Sequence, residues 1–331
     1  MKVKLDEVAS LARVGLATVD RVLNERGGVA PATAKKVIDA ARQLGWVRSL
    51  PSVYRTNLRF EVLLGRREVP LFAKLNEFFE KLIPLVNHSV IIQRTFVDHA
   101  KPNRLAKAIA TTRSDAIIVC GQEDDAILEA IATVTSAGVP VVAIMSDLPT
   151  APRLAYVGIN HHRAGRAAAF LLSHMIPPAG CCVVLCHSLK YRGDSERIGG
   201  FREALMEYRP DASLTEVIEA GEDEVRARIS LRHRLIETNH IAAVYNAGAS
   251  NSLVVEALNG RSNIAFVGHD LIGETSTMLR DGTMTIAIEE NLEIQARRAI
   301  DVLLHRFGLQ EHAPDATTLP FQIKVRDSVI V

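Results

Sequence analysis

The sequence predicts an α/β protein in two unequal parts: a small all-helical head, and a larger body of parallel β-sheet covered by helices on both faces. Three observations carry that prediction. Residues 1–45 place their apolar side chains at helical spacing only. From Phe60 onward, short apolar runs alternate with single amphipathic helices, which is the pattern of βαβ units. Charge divides in the same place: residues 1–60 hold 11 Lys and Arg against 5 Asp and Glu, a net +6, and the remainder holds 28 against 33, a net −5. A basic head on a slightly acidic body fits a polyanion-binding module joined to a part with another task, and equally a solvated charged face.

At 331 residues the chain exceeds what a single core holds, so two to three domains are expected. Hydrophobic residues make up 48% and charged residues 23%, the balance of a globular protein without long disordered tracts. No apolar run reaches the roughly 18 residues of a membrane span. The opening "MKVKLDEVAS" meets acidic residues at once and lacks a signal-peptide core, which predicts a cytoplasmic protein. Three of the four cysteines lie in "CCVVLC" (Cys181, Cys182, Cys186), which reads as a buried strand. With no C-x-x-C pair, the expectation is inert thiols in a reducing compartment and no metal.

The head reads as three helices. "LDEVASLA" sets Leu5, Val8, Ala9 and Ala12 on one stripe, and "LATVDRVLN" does the same with Val19, Val22 and Leu23. Gly27 and Gly28 then break the chain before "PATAKKVIDAARQLG", which has Pro31 near its start and Gly45 as its stop. Two helices joined by a tight turn near residues 12–15 fit a helix-turn-helix, whose second helix enters the major groove. Arg21 is then placed to hydrogen-bond a guanine edge. The alternative is a three-helix accessory with Arg21 in solvent. "VRSLPSVYRTNLR" follows as a polar, proline-containing linker.

The body reads strand by strand as "FEVLLG", "SVIIQRTFV", "AIIVCG", "VPVVAIM", "CVVLCH", "AAVYN" and "IAFVGHD", with helices such as "FAKLNEFFEKLIPLV", "DAILEAIATVTSAG" and "RIGGFREALMEY" between them. One continuous sheet of about ten strands and two smaller doubly wound sheets fit the pattern equally.

"LDEVASLARVGLATVDRVLN" resembles the head of the lactose-repressor (LacI/GalR) family, whose members open with "DVA..AGVS..TVSRVLN". Thr18, Val19, Arg21, Val22, Leu23 and Asn24 match in order, and "GGVAPATAKKVIDAARQLGW" is similar to the family's third helix. The resemblance extends through the chain. It implies a helix-turn-helix domain at 1–46, a hinge at 47–59 and an effector-binding domain at 60–331. The effector domain would be a two-lobed periplasmic-binding-protein-like body with lobe 1 at about 60–159 and 290–319, and lobe 2 at about 160–289 and 320–331. It also implies that Leu16, Ala17 and Arg21 read bases, that Thr18, Asn24 and Thr33 contact the DNA backbone, and that a hinge leucine, here Leu58, wedges into the minor groove. A plain flexible tether is the other reading of the hinge, where Arg55 replaces a usual small residue. Arg13 stands where the family turn has glycine, Gly15 replaces a serine cap, and Asp20 replaces a serine near phosphate. Asp20 is therefore expected to pair with Arg21 or another cation.

Ligands of open α/β sheets sit beyond the carboxyl ends of strands. Ser146 and Asp147 end "VPVVAIMSD", Asn246 ends "AAVYN" and Asp270 ends "AFVGHD". By resemblance "YVGINHHRAGRAAAF" gives Asn160 as a crossover, "RIGGFREAL" gives Arg197 as the ligand-reaching arginine, "TIAIEEN" puts Glu289 at the last crossover, and Phe72 offers an aromatic face. Asp147 in "SDLP" also fits a turn residue. Carboxylates, amides and one arginine with an aromatic suit a polyhydroxylated ligand: a sugar, a polyol or a sugar derivative.

No nucleophile elbow, phosphate loop, zinc helix or dinucleotide glycine fingerprint occurs, and the adjacent His161 and His162 point to different faces. The expectation is a transcriptional regulator without catalytic activity or cofactor, read as a repressor. It would bind a palindromic operator as a homodimer, because one small head makes too few phosphate contacts alone. A cytoplasmic sugar-binding protein or a sugar-converting enzyme, neither binding regulatory DNA, are the rivals.

Overall fold

The computed structural model describes residues 3–24, 26–46, 58–86, 90–238, 240–314 and 317–329. The head consists of α1 (Leu5–Ala12), α2 (Leu16–Leu23) and α3 (Pro31–Leu44). Val8, Ala9 and Ala12 of α1 and Val19, Val22 and Leu23 of α2 bury against Val37, Ile38 and Ala41 of α3, with Trp46 closing the cluster. The apolar stripes read from the sequence are thus the faces that meet. The Glu7 carboxylate accepts the backbone N–H of Lys4 at 3.0 Å and caps the start of α1. The helix ends at Arg13 with φ 54°, a left-handed conformation that an L-residue with a side chain adopts only at an energetic cost. That conformation is the physical reason a glycine would be at home in this turn.

The body holds two separate six-stranded sheets rather than one continuous sheet. The first combines β1 (Leu58–Leu64), β2 (Val90–Phe96), β3 (Ala116–Val119), β4 (Val141–Ile144), β5 (Ala155–Ile159) and β11 (Thr318–Leu319) in the order β11-β5-β4-β3-β1-β2. Every pairing in it is parallel. Its strands alternate with α4 (Pro70–Leu82), α5 (Pro102–Ala110) and α6 (Asp125–Ser136). We call this lobe 1. Lobe 2 combines β6 (Cys181–Cys186), β7 (Ser213–Glu219), β8 (Ile241–Asn246), β9 (Ala265–His269), β10 (Ile286–Glu289) and β12 (Gln322–Lys324) in the order β12-β10-β9-β8-β6-β7. Only its β10–β12 pairing is antiparallel. Its helices are α7 (His161–Ser173), α8 (Arg192–Tyr208), α9 (Glu224–Glu237), α10 (Asn251–Leu258) and α11 (Thr275–Asp281), and α12 (Leu292–Arg306) returns to lobe 1. The central strands β3, β4 and β8 are buried along their whole length, which is why they read as unbroken apolar runs instead of alternating ones.

The chain passes between the lobes three times, at Asn160, at Glu290–Asn291 and at Pro320–Phe321. With the carboxyl ends of both sheets turned toward each other, the lobes touch directly. Glu123 N–H donates to the Lys190 carbonyl at 2.9 Å, Gly193 N–H donates to Ser146 Oγ at 3.2 Å, and Arg66 pairs with Glu222.

Three expectations need correction. The minor-groove wedge assigned to Leu58 does not fit: Leu58 opens β1, pairs in register with Val90 and is 5% exposed in the lobe 1 core, so its side chain is held there by strand and core together. The body therefore begins two residues before Phe60, and the rest of the expected hinge, 47–57 with Arg55, lies outside the described residues. Cys181 is half-exposed, its Sγ 3.3 Å from Ser213 Oγ, while Cys182 and Cys186 are buried and burial raises their thiol pKa values, that of Cys182 to about 12. Among the described residues no helix is long and apolar enough to cross a membrane.

The left-handed Arg13 gives a test of the head's construction. Relieving it with Arg13→Gly removes a penalty of about 1–2 kcal/mol and gives back about 0.4–1 kcal/mol as unfolded-chain freedom. The variant head should unfold later by roughly 1 kcal/mol, measured by urea denaturation followed at Trp46.

Candidate functional site

Two places collect the candidate residues. The first is the outward side of α2. Leu16 is 52% exposed, Ala17, Arg21 and Asn24 are exposed and Thr18 is half-buried, on the face opposite the packed Val19, Val22 and Leu23. Asp20 accepts from Asn24 Nδ2 at 2.7 Å and pairs with Arg26 Nη1 at 2.7 Å. The cation expected for Asp20 is thus Arg26, which leaves Arg21 pointing outward. Thr33 lies half-buried in the first turn of α3, its N–H donating to the Ala30 carbonyl at 2.9 Å.

The second place lies between the lobes, and Arg197 of α8 is its centre. Its side chain is buried at 8% exposure. Packing fixes it: α7 and α8 approach so closely that a Cβ on Gly165 would stand 1.9 Å from the Arg197 carbonyl oxygen, so only glycine lets α8 seat there. Arg197 Nε–H donates to His161 Nδ1 at 3.1 Å, Nη1 donates to the Ala247 carbonyl, and Nη2 pairs with Glu290. Asp194 Oδ1 lies 3.8 Å from Nη1, and Asp194 Oδ2 accepts the N–H groups of His187 at 2.9 Å and Ser188 at 3.1 Å.

From this centre hydrogen bonds run into both lobes. Toward lobe 1, His161 Nδ1 accepts from Arg197, so its Nε2 carries the proton; it is directed at the Met145 carbonyl, with the Tyr156 hydroxyl at 2.9 Å. Toward lobe 2, His269 Nδ1–H donates to Glu290 at 3.0 Å, and its Nε2 accepts the Tyr245 hydroxyl at 2.9 Å. Burial, with the Arg197 charge added, lowers both imidazoles to about 4, so both are neutral near pH 7. Burial opposes the Glu290 carboxylate too, but Arg197 and the His269 hydrogen bond hold it below the ordinary range. At Asp270 the Arg197 charge is outweighed. Burial and the nearby Glu290 and Glu289 push its carboxyl well up, even though the Glu290 N–H donates to it at 3.1 Å.

The structure sorts the predicted residues. Ser146, Arg197 and Asp270 meet in the interlobe region, bridged by the Gly193 contact and by Glu290. Asn246 is buried beside them but closes its own loop, accepting from Ala249 N–H at 2.8 Å and donating to the Ala249 carbonyl at 2.8 Å. Glu289 is likewise taken by backbone, accepting from Leu271 N–H at 2.9 Å and Asn291 N–H at 3.2 Å. Phe72 is 8% exposed within lobe 1 and meets His99 edge-on. Two residues have local partners. Asn160 is exposed and caps α7, accepting from Arg163 N–H at 2.9 Å; Asp147 holds Arg153 at two points and accepts from Leu148 N–H at 2.7 Å, which makes it the turn residue of "SDLP".

Glu290, His161, His269, Tyr245 and Asp194 were not singled out as effector contacts by sequence. A strand turns successive side chains to opposite faces, so "EEN" offered two acids of which only Glu290 joins the Arg197 network. "VGHD" ended an apolar strand with two polar residues, a signal that His269 shares with Asp270.

Residues 62–307 match the family model of the periplasmic binding protein domain, and residues 4–49 match that of bacterial regulatory proteins, lacI family. The transcriptional regulator DegA of Bacillus subtilis is 26% identical over 211 residues, covering 62% of each chain. The sucrose operon repressor of Pediococcus pentosaceus is 31% identical over 123 residues, 36% of this chain and 37% of that one. These matches thus span less than two thirds of either relative, whereas the transcriptional repressor PurR of Aliivibrio salmonicida is matched over 98% of both chains at 23% identity. Among solved structures, an ABC transporter solute binding protein from Burkholderia graminis in complex with D-arabinose superposes with a TM-score of 0.75 at 18% identity, covering 82% of this chain and 96% of that one. GanP, a glucose-galactose binding protein from Geobacillus stearothermophilus, gives 0.73 at 18% identity over 83% and 99%. At such identities these two structures establish the fold alone.

The buried imidazoles make stability depend on pH with a definite sign. His161, His269 and His99 take up a proton at about 4 in the folded chain but at 6.5 when unfolded, so their contribution is complete above 6.5 and is lost as pH falls toward 4. Asp194, raised by burial to about 6, and Asp270, also raised, work the opposite way above their ordinary 3.8 and offset part of the loss. Melting temperature should therefore fall between pH 7 and pH 5. His269→Gln, which keeps a donor for Glu290 and an acceptor for Tyr245, should flatten the slope by about 1.4 kcal/mol per pH unit; an unchanged slope in calorimetry would contradict the assignment.

Proposed function

We propose, for a chain that belongs to the LacI family of bacterial regulatory proteins and carries a periplasmic binding protein domain as its body, that it binds operator DNA as a homodimer in the cytoplasm and that a small sugar-like effector between the lobes sets its operator affinity. One observation carries this reading: a compact basic head presents Leu16, Ala17 and Arg21 on a face free of core packing, ahead of a body whose two lobes turn their strand ends toward each other. In this reading the outward face of α2 meets base edges, and the junction of the two lobes takes the small molecule.

The polar set of the cleft suits hydroxyl groups better than a reaction. Arg197 retains guanidinium protons beyond those used by His161, Ala247 and Glu290, and the raised Asp270 carboxyl can donate as well as accept. Such groups fix a polyol by paired hydrogen bonds, and nothing in the arrangement asks for a nucleophile. The sugar-binding solved structures named above support a sugar as the class of effector. Binding would favour one lobe orientation and so shift the population of head spacings that fit two half-sites.

Arg21 tests the reading. In fluorescence anisotropy, the full-length protein should bind its operator with steep salt dependence, and Arg21→Ala should lose about 1–3 kcal/mol of discrimination against single-base variants while keeping its response to effector. Unchanged selectivity would refute the role of Arg21, and no DNA binding at low salt would refute the regulator itself.

A further inference from the structure

The carboxyl ends of the lobe 1 strands hold a buried imidazole that the Arg197 network does not use. His99 lies three residues beyond β2 and is 7% exposed. Among the described residues neither Nδ1 nor Nε2 has a hydrogen-bond partner. Its backbone is fixed, because Gln122 Nε2, beyond β3, donates to the His99 carbonyl at 3.2 Å. Its ring is fixed too: Phe72 meets it edge-on with centroids 5.0 Å apart, and Phe72 packs over Gly65 at the end of β1, where a Cβ would stand 2.1 Å from the Phe72 ring. The neighbouring Asp98 faces Arg66, Lys101 and Arg104 at 4.0, 3.6 and 3.7 Å. From lobe 2, His187, the first residue beyond β6, lies close enough for its charge to bear on His99. The Arg66–Glu222 pair joins the two lobes nearby, with His187 Nε2 at 3.7 Å from Glu222.

A buried imidazole with an unpartnered N–H and an unpartnered lone pair weakens a fold unless something else binds there. Rings and backbone hold this one rigid at the junction of β1, β2 and β3, on the side where lobe 1 faces lobe 2. We propose that His99 contacts the effector directly, one ring nitrogen donating to an oxygen of a polyhydroxylated molecule and the other accepting from one of its hydroxyls. The proposal rests on the reading of the cleft as the effector site and adds a specificity-determining residue to it. Burial keeps the imidazole neutral near pH 7. At this subsite it therefore offers one N–H and one lone pair, which a single hydroxyl-bearing carbon pair of a sugar takes up together.

The test uses the full chain with D-arabinose, D-ribose, D-allose, D-glucose, D-galactose and D-gluconate as probes, read by thermal shift and titration calorimetry. His99→Phe and His99→Leu fill the site without polar atoms. Both should melt above the wild type in the absence of sugar, and both should weaken the sugar that stabilises the wild type by about ten-fold or more. His99→Gln, with a donor and an acceptor, should keep the response. If both apolar variants melt below the wild type, the imidazole has a partner inside the fold and the proposal fails. Unchanged sugar affinity in the apolar variants overturns the proposal and leaves the effector reading standing. If no probe shifts the wild type, the sugar-effector reading falls and the proposal falls with it.

Discussion

The buried pair of Arg197 and Glu290 is the interaction on which the two-lobed body depends. Glu290 is 1% exposed and Arg197 8%, so both charges have left water, and that loss is offset only if the remaining polar atoms also find partners. They do. His161 and the Ala247 carbonyl take the other edges of the guanidinium, and His269 donates to the carboxylate. Since His161 also meets Met145 and Tyr156 of lobe 1, while His269 meets Tyr245 of lobe 2, one ion pair links two sheets that share no strand. In the proposed reading an effector between the lobes works on this network, by adding to its donors or by competing with them. That is a physical route by which a small molecule could alter lobe orientation.

The placement of the pair follows from local rules. Glu290 sits at a crossover, where strand β10 has ended and α12 has not begun, and His161 opens α7 just after another crossover. Crossover residues belong to neither lobe alone, so polar groups there couple both. Arg197 reaches them because Gly165 lets α8 lie tightly on α7. Small residues along "HHRAGRAAA" thus serve the site as well as the packing.

Much of the fold was legible in the sequence because it depends on periodicity. Helical stripes gave Val8, Ala12, Val19 and Leu23 as the faces that meet in the head, and unbroken apolar runs such as "AIIV" and "VVAI" gave strands covered on both sides. Whether those strands form one sheet or two was not legible from the residues themselves, since either arrangement buries the same runs. The site was legible only in part. Asp270 stood out as a polar residue at a predicted strand end and Arg197 through the family resemblance, but Glu290 looked like its neighbour Glu289, and side-chain direction at a strand end decides between them. Asn160 and Asp147 show why a site is hard to read from residue types: a helix cap and a turn use the same ones as a ligand site. Leu58 misled because a strand entering the core and a hinge leucine look alike in one dimension.

The central claim is that Arg197 and Glu290 act as a unit, and a double-mutant cycle in urea unfolding of the full chain measures it most directly. Glu290→Leu leaves the buried guanidinium without its carboxylate and should cost about 3–5 kcal/mol, and Arg197→Met should cost a similar amount. The double variant, with neither charge, should cost far less than the two together, giving a coupling energy of at least about 2 kcal/mol. Strictly additive losses would contradict the account, because they would mean that the two residues contribute to the body independently.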